Sequence, residues 1–321
     1  MNKKVLVTGG SGFLGAGLVN ALVRRGYTVR VFDNNFRGHD RRLLEVRDHI
    51  EFIQGDIRDA AAVDRAAAGV AWLFHLAFVN GTRYFYDQPD LVLDVGVRGA
   101  LTTMDAVKRH NIERYIVASS SEVYQEPTHV PTDESERIII PDVTNPRFSY
   151  SSGKLITELL ALHYLRPGHA ARIIFRPHNV YGPDMGWEHV IPEFMRRVRE
   201  VPQPAGGGAV PFPIQGTGSE TRAFCYVDDA VEGIVIAAER GADATIYHVG
   251  VDEETAIADL AHRVGKLSGL QLELQTKPLL AGSTSRRCPD ITRLRALGYD
   301  PKISLDEGLR RTWEWYRSAP L

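Results

Sequence analysis

Eleven residues, Val5-Leu6-Val7-Thr8-Gly9-Gly10-Ser11-Gly12-Phe13-Leu14-Gly15, constrain this chain more than any other stretch. A short apolar run ends in glycines and is followed at once by Leu14, Leu18, Leu22 and Val23 at helical spacing. The pattern predicts a strand, a tight turn and a helix. Such a turn leaves unpaired backbone N–H groups at the helix start, where aligned peptide dipoles favour a phosphate and glycine admits a diphosphate at close range. A second strand is predicted over 28–32. Asp33 stands at its end, about 20 residues past the glycines, where a carboxylate takes the ribose hydroxyls of a dinucleotide. Its charge disfavours a 2′-phosphate, so NAD is expected over NADP; Arg37 weakens that preference without reversing it. Phe13 and Leu14 at the helix start, and Asn34, Asn35 and Gly38 past the second strand, complete the candidate contacts on this side.

From about residue 3 to 174 strand-like runs alternate with helical ones, the strands over 5–7, 28–32, 51–53, 72–76, 115–118 and 172–175. This predicts an α/β fold, a doubly wound parallel sheet with right-handed crossovers, and ligands at the carboxyl ends of its strands. Residues there are therefore candidates: Asp56 and Ile57 toward adenine, and Leu76, Ala77 and Phe78, where a small Ala77 lets the backbone approach the cofactor. Asp56 serves equally well as a cap for a helix running from Arg58. Beyond Arg176, prolines and Gly206-Gly207-Gly208 mark a loop-rich region. We expect a dinucleotide-binding domain over 1–177, to which 226–250 returns, and a smaller C-terminal substrate-binding domain over 178–321.

The formal charge of -2 over 321 residues gives no global basic field for nucleic acid or an anionic membrane. No apolar stretch is long enough to span a bilayer, and no signal peptide is recognisable. Cys225 and Cys288 have neither metal-type spacing nor a pairing pattern, which fits a reducing compartment, so a cytoplasmic protein is expected. No metal site is indicated. Two helices, about 89–110 and 149–166, carry apolar stripes wider than packing on a sheet requires. A second copy of the chain covering them, in a homodimer, is the expectation; burial under the C-terminal region is the alternative.

The fifth strand ends in Ala118-Ser119-Ser120-Ser121-Glu122-Val123-Tyr124, and Tyr150-Ser151-Ser152-Gly153-Lys154 opens a helix. Tyrosine and lysine four apart share one helical face, so an ammonium can sit beside a phenol and, reinforced by a positively charged nicotinamide ring, lower its pKa and make it a general base for a hydroxyl proton. Ser120 is placed to hydrogen-bond the same hydroxyl.

With these elements in this order, the chain resembles the extended short-chain dehydrogenases/reductases, in the nucleotide-sugar epimerase and dehydratase branch. Gly9, Gly12 and Gly15 match its Gly-x-x-Gly-x-x-Gly turn, Tyr150 and Lys154 its Tyr-x-x-x-Lys pair, and Ser120 its catalytic Ser/Thr. Arg176-Pro177-His178-Asn179-Val180-Tyr181-Gly182-Pro183, Gly216-x-Gly218 with Arg222-Ala223-Phe224, and Arg287-Cys288-Pro289-Asp290 resemble its nucleotide-diphosphate contacts. The resemblance implies a Rossmann sheet holding NAD and a nucleotide-diphosphate sugar bound by Ser121, Asn179, Arg222 and Arg287; Asn80 and Thr82, after the fourth strand, are candidates to line the sugar pocket, with a solvent loop as the alternative. It also implies oxidation at C4 to a transient 4-keto sugar, with Tyr150 as base, Lys154 lowering its pKa and holding the nicotinamide ribose, and Ser120 aligning the hydroxyl.

A 4-epimerase is the leading expectation. Glu122 matches the glutamate of dehydratases and of uronate decarboxylases, and Gly153 is reminiscent of the latter, so a 4,6-dehydratase or a nucleotide-uronate decarboxylase is the close alternative. A non-catalytic NAD sensor is the rival from another class. Three departures stand out: Gly96 where the family commonly has asparagine, Ala223 for the aspartate of Arg-Asp-Phe, and Phe78 for a small residue beside the nicotinamide pocket. His189, at a helix start, is expected to be satisfied locally.

Overall fold

In a computed structural model, residues 3–202, 208–278 and 284–320 are described; Pro204, Gly206 and Gly207 of the expected loop lie outside them. Seven strands form one sheet: β1 (Lys4–Thr8), β2 (Thr28–Asp33), β3 (Ile50–Gln54), β4 (Trp72–His75), β5 (Arg114–Ala118), β6 (Ala171–Pro177) and β7 (Thr245–Val249). Their order is β7-β6-β5-β4-β1-β2-β3, and every pairing is parallel. All six strands expected before residue 177 are present, and the return to the sheet is β7. The strand order reverses between β1 and β4, which opens a crevice above their carboxyl ends.

Val5, Leu6 and Val7 are fully buried. Val5 and Val7 join the apolar core on one face and Leu6 the core on the other, as the two-residue period of a strand requires. Continuous apolar runs suit a sheet covered on both sides. The first face is packed by α1 (Phe13–Arg24); the second by α2 (Ala60–Ala67) and α3 (Gly99–His110), with α2 against α3. Further along the chain lie α4 (Ser149–Leu159) and, after a helix over Val190–Glu200, α5 (Val227–Arg240), which packs on α1. The helical segment that precedes α3 runs from Pro89–Leu93 through a wider π-type turn at Asp94–Arg98.

The expected boundary at 177 coincides with the end of β6, yet the first core crosses it, taking in Phe212, Leu260 and Leu309 from the C-terminal part. One cap differs from expectation. α2 starts at Ala60, and its N-cap is Asp59, whose carboxylate accepts from the Ala61 and Ala62 N–H groups. Asp56 instead accepts from the backbone and guanidinium of Arg58, which leaves it at the cleft rather than on the helix.

Candidate active site

The glycine turn is shaped by close approach. Gly9 has φ +74°, and a Cβ there would stand 2.6 Å from the Ala77 backbone nitrogen, so only glycine lets the turn lie against the exit of β4. A Cβ on Gly15 would overlap the Gly9 carbonyl oxygen. Gly9, Gly12, Asp33, Asn34, Gly38, Asp56, Ile57, Leu76, Ala77 and Phe78 then line one cleft. The Asp33 carboxylate is aimed by two backbone donors, Ser11 at 3.0 Å and Asn35 at 2.9 Å. Close backbone approach at the helix start, with a carboxylate past β2, fits a dinucleotide diphosphate and ribose.

Three residues expected in this cleft stand elsewhere. The Asn35 side chain is spent on the Ser11 hydroxyl and on Asp40, and Phe13 and Leu14 face the neighbouring pocket. Arg37, which could have favoured a 2′-phosphate, is paired with Glu188 at 3.0 Å and lies over the Tyr84 ring.

The neighbouring pocket collects Asn80, Thr82, Ser120, Ser121, Glu122, Tyr150, Asn179 and Arg287 around one space. Local chemistry places them. Ser120 caps the tight turn after β5, its hydroxyl accepting from the Glu122 N–H at 3.1 Å. Pro146 opens a turn capped by the Asn145 side chain and feeding straight into α4. Tyr150 is 8% exposed and held by rings: Phe85 stacks on it at 4.8 Å and Phe78 meets it edge-on at 5.3 Å. Lys154, 4% exposed, donates to the Ala118 carbonyl at 2.7 Å.

These surroundings work against the expected acidification of the phenol. In the protein itself the Tyr150 phenol is pushed up, burial being the largest cause; a hydrogen bond with Ser120 pulls it back and the charge of Glu122 adds to the rise. The Lys154 nitrogen lies 5.9 Å from the centre of the Tyr150 ring. Burial brings Lys154 down to about 7, opposed by Glu158. Each group disfavours its charged form, because each has been removed from water.

Burial works to raise the Glu122 carboxyl, but Arg287, Arg147 and Arg222 outweigh it and hold it below the usual range. Arg287 is ion-paired with it. Arg222 is outside the pocket lining: its guanidinium donates to the Thr221, Thr284 and Ser285 carbonyls and so ties down the segment that carries Arg287. His189 lines the pocket, and its side chain does not cap the helix that follows it.

Arg147 and Phe85 also line this space and were not foreseen. Arg147 lies three residues before Tyr150, in the turn that feeds α4, and that spacing was a readable signal. Phe85 comes from a separate short helix, Thr82–Asp87, with no spacing relation to the tyrosine.

A doubly wound sheet whose switch point holds a glycine turn beside a buried tyrosine and lysine defines a class of dinucleotide-dependent enzymes. The sequence pattern of the NAD dependent epimerase/dehydratase family matches residues 5–250, and the chain belongs to that family. It is an NAD-dependent enzyme of nucleotide sugars. UDP-N-acetyl-alpha-D-glucosaminuronate decarboxylase of Bacillus cytotoxicus is 28% identical over 99% of this chain and 98% of that protein. UDP-glucuronic acid decarboxylase 1 of Arabidopsis thaliana is 30% identical over 99% of this chain and 71% of its own length. UDP-glucose 4-epimerase of Thermotoga maritima, solved with UDP-glucose, superimposes with a TM-score of 0.85 at 28% identity, covering 98% of each chain. dTDP-glucose 4,6-dehydratase of Streptomyces venezuelae, solved with NAD bound, gives 0.86 at 28% identity over 98% of this chain and 97% of that one. Among the described residues no helix is long and apolar enough to cross a membrane.

Proposed function

We propose that this enzyme removes carbon dioxide from a nucleoside-diphosphate uronic acid. The observation that carries this reading is the charge of the sugar pocket. Arg147 and Arg287 line it and Arg222 stands behind, against the single carboxylate of Glu122. Arg147 makes no side-chain hydrogen bond or ion pair among the described residues. A substrate bearing a carboxylate in addition to a diphosphate suits that excess of cations.

When bound, NAD accepts a hydride from C4 and later returns it. Tyr150 takes the C4 hydroxyl proton and Ser120 aligns that hydroxyl, leaving a 4-keto uronate. The C5–carboxylate bond then breaks, its electron pair passing into the C4 carbonyl as an enolate, and C5 is reprotonated from the pocket. No base is needed at C5. Loss of water from C6 would instead need both a base for the C5 proton and a proton donor beside the leaving oxygen, and a Glu122 held ionised by Arg287 suits only the first. The 4-epimerase is the second reading, favoured by the likeness to an epimerase solved with UDP-glucose and by needing only Ser120, Tyr150 and Lys154.

Incubating the purified protein and NAD with UDP-glucuronate, UDP-N-acetylglucosaminuronate, UDP-glucose and dTDP-glucose, followed by mass spectrometry, separates the outcomes. The expected product is lighter by carbon dioxide and arises from a uronate alone. A neutral sugar nucleotide converted at unchanged mass to its C4 epimer overturns the proposal in favour of the second reading, and loss of water overturns both. Arg147→Ala is expected to raise KM for the uronate by roughly 10- to 100-fold, the value of a charge-assisted hydrogen bond.

The same reading includes a homodimer. Leu93, Ile156, Leu159 and Tyr164 are 36%, 37%, 48% and 38% exposed along the two helical segments expected to meet a second copy. The double variant Ile156→Lys, Leu159→Lys is expected to sediment at half the mass of the parent, and equal sedimentation would remove this interface.

A further inference from the structure

Two of the departures noted in the sequence are one structural event. The Phe78 ring occupies the space above Gly96, where a Cβ would overlap ring atoms Cε2 and Cζ, and it also covers Gly153, whose Cβ would stand 3.0 Å from Cζ. Gly96 is buried within the π-type turn Asp94–Arg98, where the helix widens by one residue, a deviation that recurs at functional sites. From this seat the ring reaches both members of the reactive pair. The Lys154 nitrogen lies 4.1 Å from its centre, and Tyr150 meets it edge-on at 5.3 Å and 86°.

We propose that Phe78 is a positioning residue: seated on Gly96 and Gly153, it seals Lys154 from water, presses its nitrogen toward the Ala118 carbonyl and fixes the Tyr150 ring between itself and Phe85. Gly96 is the other half of this device, because any side chain there displaces the ring. The inference rests on Tyr150 and Lys154 as the reactive pair and is indifferent to whether carbon dioxide is lost. The charged or titratable groups that face Lys154 are Tyr150 and Glu158 on its own helix and His75 on β4. His75 is itself buried and held neutral, down to about 3. None of these is Phe78, so the ring's contribution can be isolated.

The test is a titration of Lys154 in the purified protein, by NMR of lysine labelled at Cε and assigned with Lys154→Met. In the parent the Lys154 midpoint is expected near neutrality, as its burial requires. In Phe78→Ala it is expected to move toward the ordinary lysine value as water enters, and kcat is expected to fall at least tenfold with a smaller change in KM. Gly96→Ala is expected to shift the midpoint in the same direction, and adding it to Phe78→Ala is expected to do nothing more, since the ring it displaces is gone. Phe78→Leu keeps the volume and the seal, so its midpoint is expected to stay near that of the parent; it serves as the folded control. A Lys154 midpoint that is the same in parent, Phe78→Ala and Gly96→Ala overturns the proposal, whichever product the enzyme makes.

Discussion

Replacing Tyr150 with phenylalanine is expected to lower turnover by roughly 10²- to 10⁴-fold, the usual worth of a positioned general base. The fold is expected to survive, because the phenyl ring keeps its packing on Phe85 and Phe78 and only the hydroxyl is lost. Ser120, left without that neighbour, still accepts from the Glu122 N–H. The pH dependence has a definite sign. Burial raises the phenol above its ordinary value, and a base works with its proton off, so the parent rate is expected to climb as pH increases through the alkaline range. The variant is expected to lack that rising limb. Turnover is read from sugar-nucleotide product, and the first step from the absorbance of reduced nicotinamide in a single turnover. A Tyr150→Phe enzyme that keeps both parent rate and parent pH profile would end the assignment of Tyr150 as base.

The sheet was legible in the chain because its signals are local. Three apolar residues before glycines can be read as β1 without knowing what packs on them, and the alternation of strand and helix then dictates a crevice above the strand ends. Tyr150 and Lys154 were legible for the same reason, since four residues on a helix share a face. What the sequence could not convey depends on distant partners. That Arg222 spends its donors on the carbonyls of residues 284 and 285 is a contact across some sixty positions.

The phenol was expected to be acidified by its lysine together with a positively charged nicotinamide. Burial of both groups works against that acidification, and burial is a property of the finished fold. The same holds for the choice among reactions. The family resemblance left Glu122 open between dehydratase and uronate decarboxylase; its pairing with Arg287 and the nearness of Arg147 are visible only in the fold. Asp56 and Asp59 show the limit at short range. Both precede a helix, and only the helix start at Ala60 tells which of them caps it.

Glu158→Leu is expected to destabilise the fold by about 3–5 kcal/mol, a large share of the roughly 5–15 kcal/mol typical of a folded chain. Glu158 and Arg176 are 3% and 2% exposed and joined through two hydrogen bonds, Nε to Oε1 at 2.8 Å and Nη2 to Oε2 at 2.6 Å. The pair anchors a longer chain of donors. Ser119 also donates to Glu158, and Arg176 donates to the Tyr124 hydroxyl. Tyr124 in turn donates to His248 Nε2 at 2.6 Å, while His248 Nδ1 donates to the Asp290 carbonyl at 3.0 Å. That direction requires a neutral His248, and burial, with the Arg176 charge, holds it down to about 3. Five segments are thereby locked beneath the sugar pocket: α4, the end of β5, β6, β7 and the stretch around residue 290. Removing the carboxylate leaves a buried guanidinium uncompensated, which costs far more than the pair contributes when whole. Arg176→Met is expected to cost a similar amount for the converse reason. The double variant Glu158→Leu, Arg176→Met leaves neither charge behind and is expected to recover most of the loss, a non-additivity that separates charge burial from lost volume. Urea unfolding at constant m measures all three. Single variants within about 1 kcal/mol of the parent, the level of an exposed ion pair, would mean that this pair is hydrated in solution and that α4 owes its position to apolar packing alone.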